Sequence, residues 1–311
     1  MEEQLWSACY HGKVEEVRTL LQDSQIYTLL SDTRVDINKP QSHGTTAFHV
    51  ACENGHIEVV KLLLNDQRVD INKAKNDSWT PLLLACWNGQ IDIVKLLLKD
   101  RRVDVNKVKS DGFTPCFIAC LVGHSEIVKL LLNDKRVDIN KASNIGHTPL
   151  WIACFCGHIE IVKLLLNGER IVDINKPQSQ GATPFYVACE NGHIEVVKLL
   201  SNDKRVDINK AKRSGETPFF VACWNEHIEI VKYMLACGRE IDTNKKDTCN
   251  GKTALDCAKE RGKTNIVELI ESFQKNQNET RAKLRKELGF QGKFYFILII
   301  CTSIISLKKI R

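Results

Sequence analysis

The sequence predicts an all-α solenoid, a row of short helix–turn–helix repeats joined by hairpin-like loops. The segment His56–Leu64 recurs almost unchanged at His158–Leu166. An alanine also precedes a glycine by four residues throughout the chain, and its central copies, from Ala51 to Ala153, lie 34 residues apart. Repetition at this period indicates stacked repeats, in which each repeat contacts only its neighbours.

Each central repeat is predicted to contain two short helices, and start and stop signals mark the first of them. Thr80 is expected to cap the first helix, and Pro81 is tolerated at its first position. Gly89 then ends this helix in a left-handed conformation. The second helix, Ile91–Leu98, is apolar on more than one face, as expected of a helix packed between neighbours. We expect Arg102–Lys107 to run extended into a polar turn.

These residues resemble the ankyrin repeat family. The shared motif is Gly-x-Thr-Pro-Leu-x-x-Ala-Cys-x-x-Gly-His-x-x-Val-Val-Lys-Leu-Leu-Leu followed by Val-Asp-Ile-Asn, and the resemblance covers about residues 2–272. It implies an L-shaped stack whose concave face is formed by the first helices and the hairpin tips. In one departure, the loop Asn65–Arg68 is one residue longer than in the common repeat. In another, the histidine usual after Thr-Pro-Leu is replaced by Leu83, Phe117, Trp151, Tyr186 and Phe220.

The pattern divides the chain into five segments. Residues 1–42 are expected to form an N-terminal capping repeat with a long connection, and residues 43–249 six repeats. Residues 250–273 are expected to form a C-terminal capping repeat, because charge replaces apolar residues there. Residues 274–293 form a charged linker with a candidate helix, and residues 294–311 a hydrophobic segment with a basic end.

Partner-binding residues are expected where packing does not fix the side chain. The resemblance implies contacts from the turn before each first helix and from the last two residues of that helix. In the middle three repeats these positions are mostly apolar or aromatic, and such a patch rimmed by polar residues is typical of an interaction site. The predicted residues are Trp79, Trp87, Asn88, Phe113, Leu121, Val122, Ile145, His147 and Phe155.

The alternative for these aromatic residues is that they pack on each other between adjacent repeats and contact nothing outside the chain. Phe117, Trp151 and Tyr186 lie one position deeper in the repeat. We expect these three to be packing residues.

No residue pattern predicts catalysis or metal binding. A cysteine that recurs at one position is expected to be a buried apolar residue, and successive helices lie about 8–10 Å apart, too far for a shared zinc. The recurring cysteines are Cys9, Cys52, Cys86, Cys120, Cys154, Cys189 and Cys223. The recurring histidines, such as His56, are expected to bond backbone groups of the next turn, since catalytic sites are singular. We therefore expect no enzyme, no metal and no cofactor.

The charge pattern does not favour a nucleic-acid partner. The net charge of +6 is modest for 311 residues. Lysines recur at the hairpins, including Lys73, Lys107 and Lys109, but they alternate with aspartates. We expect a solvated loop surface there rather than a phosphate-binding stripe.

The end of the chain leaves three alternatives open. Phe294–Leu307 has 14 uncharged residues, followed by the basic Lys308–Arg311. As a helix it would reach about 21 Å, short of the roughly 30 Å hydrocarbon core. It is a membrane anchor at the end of the chain, an amphiphilic or docking segment, or a wrongly translated end of the gene model.

The first functional hypothesis is a non-catalytic adaptor or scaffold that binds a partner protein. The second is a membrane-tethered organiser held by Phe294–Leu307, and an enzyme is the third. We expect a monomer in the cytoplasm, with reduced thiols, because no apolar run marks a secretory signal. The alternative location is a membrane reached through the C-terminal segment.

Overall fold

The computed structural model describes residues 1–30, 36–168 and 170–290. Within these ranges the regular structure is helical and no β-strand occurs, which confirms the all-α prediction. A short 3-10 helix, Ser42–Gly44, precedes the third α-helix. The α-helices are α1 (Glu2–Tyr10), α2 (Val14–Leu30), α3 (Ala47–Glu53), α4 (Ile57–Asn65), α5 (Pro81–Trp87), α6 (Ile91–Lys99), α7 (Pro115–Val122), α8 (Ser125–Asn133), α9 (Pro149–Cys156), α10 (Ile159–Asn167), α11 (Pro184–Glu190), α12 (Ile194–Asn202), α13 (Pro218–Trp224), α14 (Ile228–Ala236), α15 (Ala254–Glu260), α16 (Thr264–Lys275) and α17 (Gln277–Glu287).

The chain forms two compact units, Met1–Ser179 and Gln180–Arg311. We number the helix pairs as repeats 1 to 8, from α1–α2 to α15–α16. In the N-terminal unit the first helices α1, α3, α5, α7 and α9 pack in sequence, and so do the second helices from α2 to α10. The C-terminal unit has the same two rows, α11–α13–α15 and α12–α14–α16. The predicted solenoid of helix pairs is confirmed.

The predicted start and stop signals act at the first helices. The Oγ1 atom of Thr80 accepts a hydrogen bond from the backbone N–H of Leu83 at 3.2 Å, and Pro81 follows as the first helical residue. At the other end of the helix, Gly89 has a φ of 72°. This is the left-handed conformation that glycine adopts without a steric penalty.

The recurring alanines and cysteines form the buried core of the helix rows. All seven cysteines at the recurring position are at most 1% exposed, which confirms that they pack as apolar residues. Burial raises the pKa of the Cys9 thiol to about 12, so the thiol stays protonated at neutral pH. Phe117, Trp151 and Tyr186 are also buried, as predicted for packing residues.

The prediction that Arg102–Lys107 runs extended is wrong, because side chains hold this connection in a series of turns. The Nδ2 atom of Asn72 donates to the carbonyl of Arg102 at 2.7 Å, and its Oδ1 atom accepts from the N–H of Asp104 at 2.8 Å. Asn106 makes the same two bonds to the next repeat, each at 2.7 Å. Asn72 and Asn106 are part of a series that we call the asparagine ladder, in which an asparagine joins its own connection to that of the following repeat.

The lengthened loop before this connection contains an ion pair that we call the aspartate–arginine clamp. The guanidinium of Arg102 lies 2.6 Å from a carboxylate oxygen of Asp100 and donates to the carbonyl of Leu64, near the end of α4, at 2.6 Å. Arg136 makes the same contacts with Asp134 and with Leu98 in α6. Hydrogen bonding to Arg102 lowers the pKa of Asp100. The clamp therefore satisfies a helix-end carbonyl of the preceding repeat.

A short hairpin, which we call a finger, precedes each first helix. The finger of repeat 3 is closed by a hydrogen bond from the N–H of Lys75 to the carbonyl of Trp79 at 2.9 Å. Neighbouring fingers are also joined, because Asn76 N–H donates to the carbonyl of His43 at 3.0 Å. The residue after each tip has a positive φ. It is a glycine in most fingers, such as Gly112, but it is Ser78, at 65°, in repeat 3.

The segment 274–293, which we expected to be a charged linker, contains α17, and this helix packs on α14 and α16. Arg285 donates to the carbonyl of Ala236 at 2.8 Å, and Phe290 stacks on Tyr233 with ring centroids 5.6 Å apart. Phe294–Leu307 lies outside the described residues. Among the helices that are described, none has both the length and the apolar character needed to cross a bilayer.

We predict that Ser78→Gly stabilises the protein by about 0.5–1 kcal/mol. A non-glycine residue in the left-handed region costs about 1–2 kcal/mol, and the greater freedom of glycine in the unfolded chain offsets part of the gain. Urea denaturation measures the change. The control is Ser110→Gly in the next finger, where φ is not positive and glycine should destabilise. Equal destabilisation by both changes would contradict the prediction.

Candidate functional site

The predicted partner-binding residues lie on the first-helix side of the N-terminal unit, in repeats 3 to 5. Trp87, Leu121 and Phe155 occupy equivalent positions, near the C-terminal ends of α5, α7 and α9. Trp87 is 45% exposed, Phe155 is 41% exposed and Leu121 is half-buried. These large apolar side chains therefore lie at the surface, each near the end of a first helix.

The backbone at Trp87 and Leu121 is fixed by the following repeat. The Nε2 atom of His124 bonds the carbonyl of Trp87 at 3.2 Å, and Nε2 of His158 bonds the carbonyl of Leu121 at 3.2 Å. Gln90 donates to the carbonyl of Glu53 in the same way, at 3.3 Å. We call this contact the histidine clasp.

The prediction that the recurring histidines bond backbone groups of the next turn is wrong. His56, His124 and His158 bond the repeat before them rather than the next turn of their own helix, as His56 does to the carbonyl of Tyr10 at 2.9 Å. Gly89 also admits the ring, because a Cβ atom built there would lie 2.9 Å from His124. In repeat 8 of the C-terminal unit Lys263 takes the place of the histidine and donates to the carbonyl of Trp224 at 2.6 Å.

Two tryptophans of repeat 3 form the first part of the site. Trp79 lies at the end of the finger, and its ring meets the ring of Trp87 edge to face, with centroids 5.6 Å apart. The Nε2 atom of His49 in α3 lies 3.2 Å from the carbonyl of Trp79. This bond fixes the finger residue against the preceding repeat.

A lysine that the sequence did not assign to the site joins repeats 3 and 4. The Nζ atom of Lys109 lies 5.8 Å from the ring centroid of Trp79 and 6.0 Å from that of Phe113. Asp111 holds the same ammonium at 2.8 Å. Lys109 was expected to be part of a solvated loop; instead it is a cation–π partner of the aromatic residues.

Stacked rings form the second part of the site. His147 stacks on Trp151 with centroids 3.8 Å apart, and Trp151 stacks on Phe155 at 5.3 Å. Phe113 stacks on the buried Phe117 in repeat 4 at 4.2 Å. Burial lowers the pKa of His147, so its ring is neutral at neutral pH. Buried aromatic residues therefore support the half-buried outer ones.

Exposure differs among the nine predicted residues, none of which is fully buried. Trp87, Asn88, Phe155 and Ile145 are exposed, with Ile145 at 53%. The half-buried residues are Trp79, Phe113, Leu121, Val122 and His147. We call Trp79, Trp87, Phe113, Leu121, His147 and Phe155 together the aromatic surface.

Lysines at the connections are not free to bind phosphate. Lys73 donates to the carbonyl of Asn38 at 2.9 Å, and Lys107 donates to the carbonyl of Asn72 at 2.9 Å. They were expected to be solvated, but each crosses to the preceding repeat. In the part of the chain that the structure describes, no group of three or more His, Cys, Asp or Glu side chains is placed to hold a metal ion.

Sequence reasoning overlooked His49, although the spacing Thr46-x-x-His49 matches the histidine position of the resembled motif. Its Nδ1 atom accepts a hydrogen bond from the backbone N–H of Thr46 at 3.1 Å. Burial lowers the pKa of His49 to about 4. The ring is therefore neutral at neutral pH, and Nε2–H is the donor to Trp79.

Comparison with known proteins agrees with this architecture. The family model described as "Ankyrin repeats (3 copies)" matches residues 5–109, 101–176, 170–247 and 205–281. Among solved structures, the chain is similar to the ankyrin repeat protein EF0377, with 32% identity and a TM-score of 0.56 over 61% of this chain and 96% of that chain. No curated protein matches the chain.

We predict that protonation of His49 destabilises the N-terminal unit as the pH falls from 6.5 to 4. The unfolded state binds the proton first, because the pKa of His49 is near 6.5 there and about 4 in the fold. The stabilisation is complete above pH 6.5 and is lost towards pH 4, by at most on the order of 3 kcal/mol. Urea denaturation over this range should show a smaller loss in His49→Leu, since Leu83 occupies the equivalent position in repeat 3. Parallel pH profiles for the two proteins would refute the assignment.

Proposed function

Because this chain belongs to the ankyrin repeat family, whose repeats are generally protein-interaction modules, we propose that it is a non-catalytic adaptor that binds a partner protein. The aromatic surface is the proposed contact. One observation carries the proposal: Trp87 and Phe155 are large, exposed and placed at equivalent helix ends.

The physical argument rests on preorganisation. Trp87 is already oriented by the edge-to-face contact with Trp79, and its backbone is held by the histidine clasp. A partner that covers these rings removes apolar surface from water and orders few side chains. Large aromatic residues with such support are the usual hot spots of protein interfaces.

The alternative in which the aromatic residues serve only to pack on each other accounts for part of the geometry. Phe113 stacks on Phe117, and His147 stacks on Trp151. The same alternative does not explain the exposure of Trp87, since nearly half of this side chain remains in water after its contact with Trp79. The exposed area favours an external partner.

A scaffold function also fits the state of the titratable groups. His56, His124 and His158 are engaged with backbone carbonyls, and the recurring thiols are buried as protonated groups. These are the residues that would otherwise supply nucleophiles or general bases.

A monomer in the reducing cytoplasm is our proposed setting for this adaptor, and the apolar character of the buried cysteines supports the location.

We predict that Trp87→Ala combined with Phe155→Ala removes the principal partner. Loss of a hot-spot aromatic residue costs about 2 kcal/mol or more, which is about 30-fold in affinity. Affinity purification with quantitative mass spectrometry identifies the proteins that the variant loses. Binding of the purified partner then gives the change in dissociation constant.

The matched control is Trp224→Ala in the C-terminal unit. Trp224 is 44% exposed and occupies the position equivalent to Trp87, but Arg261 covers its ring at 4.1 Å. The control should keep the partner, and both variants should retain helicity by circular dichroism. Retention of all partners by the double variant, or equal loss in the control, would refute the proposal.

A further inference from the structure

The second-helix side of repeats 3 to 5 contains two neighbouring grooves. The first has a volume of about 790 Å³ and lies between α6 and α8, with Leu98 and Leu130 among its lining residues. The second has a volume of about 540 Å³ and lies between α8 and α10, with Leu132 and Leu164 in its lining. Asn133 and Lys135 line both, so the two grooves adjoin at the end of α8, and we call them together the double groove.

Unpaired cations surround this double groove. Lys99, Arg101, Lys129 and Lys135 line it and are exposed, and among the described residues none of the four takes part in an ion pair. The two acidic groups of the lining, Asp134 and Glu160, do not neutralise them, because Arg136 holds Asp134 at 2.6 Å and Lys163 holds Glu160 at 2.7 Å. The groove therefore carries excess positive charge.

The added charge is not required by the fold. Repeat 2 has Asn65 and Gln67 at the positions of Lys99 and Arg101, and its α4 packs on α6 in the same way. The arginine of the clamp is needed structurally in each of these repeats, whereas the residue before it varies. The residue before the clamp arginine is cationic in repeats 3 and 4, as Arg101 and Lys135, and again in repeat 6, as Lys204, but it is the neutral Gln67 in repeat 2.

The floor of the groove is apolar. Leu98, Leu130, Leu132 and Leu164 are half-buried and lie between the cations. A ligand that satisfies both features must present apolar side chains to the floor and negative charge to the rim. Nucleic acid offers negative charge without such apolar side chains.

We propose that this groove binds an acidic amphipathic segment of a partner protein, with leucine-like side chains on the floor and carboxylates beside Lys99, Arg101 and Lys135. A helix with apolar residues on one face and glutamates on the flanks has this arrangement. A second copy of this chain is a poor occupant, since its net charge of +6 would repel the groove. The surface is separate from the aromatic surface, so the two proposals stand or fall independently.

The test uses the full chain and a fluorescent amphipathic peptide of leucine and glutamate, in which successive leucines are alternately three and four residues apart. Fluorescence anisotropy should show binding that weakens as the salt concentration rises. The variant Arg101→Gln combined with Lys135→Gln should weaken binding about fivefold, from the loss of two partly exposed charge contacts. A peptide with glutamine in place of glutamate should bind more weakly to the unmodified chain.

The matched control is Lys204→Gln combined with Lys245→Gln, two exposed lysines of the C-terminal unit. It lowers the net charge by the same amount but leaves the groove intact, so its affinity for the peptide should not change. Equal weakening in both variants, or no weakening in either, would overturn the proposal. Tighter binding of a single-stranded oligonucleotide or of anionic phosphatidylserine vesicles than of the peptide would overturn it as well. Trp87→Ala with Phe155→Ala should bind the peptide normally, which separates this result from the adaptor proposal.

Discussion

Near the end of the first helix in repeats 1 to 4, 6 and 7, a backbone carbonyl is bonded by a side chain of the next repeat. The carbonyl of Trp87 is bonded by His124, and the carbonyl of Leu121 by His158. The connections are joined by the same principle, since Asn106 bonds both a carbonyl and an N–H of the following repeat. Helices of seven to nine residues are too short to be stable alone in water. Their stability therefore depends on neighbours, through packing and through these side-chain-to-backbone bonds.

This dependence explains how one scaffold presents two different surfaces. The histidine clasp, the asparagine ladder and the buried core use fixed positions of the repeat, whereas some exposed positions vary from repeat to repeat. On the first-helix side the variable positions hold Trp87 and Phe155, and on the second-helix side they hold Arg101 and Lys135. Because the backbone of Trp87 is held by His124 of the next repeat, this side chain needs little ordering when a partner binds.

The sequence predicted the fold well, because the repeat period and the residues that begin and end the helices are strong local signals. Thr80, Pro81 and Gly89 act as expected from the chemistry of helix ends. Contacts between repeats were harder to predict. The partner of His124 lies 37 residues earlier, and the bonds of Asn72 reach the connection 30 residues later. Hydrogen bonds at such separations leave no local pattern, which is why the connection was wrongly expected to be extended.

The candidate site was predicted only in outline. The variable apolar positions predicted a surface location for Trp87 and Phe155, which are exposed, whereas Trp79 is half-buried against Trp87. Lys109 was missed as a member, because its position over two rings depends on how neighbouring fingers align. His49 was missed although its motif spacing was available in the sequence.

The most direct test of the central claim is the stability of Asn106→Ala compared with Asn88→Ala. Asn106 bonds the following repeat twice, whereas Asn88 donates to Leu84 within its own helix. We predict that Asn106→Ala lowers the unfolding free energy by about 2 kcal/mol more than the control and speeds hydrogen exchange at the amide of Asp138. Equal stability of the two variants, with Asp138 still protected, would show that bonds between repeats do not hold the array together.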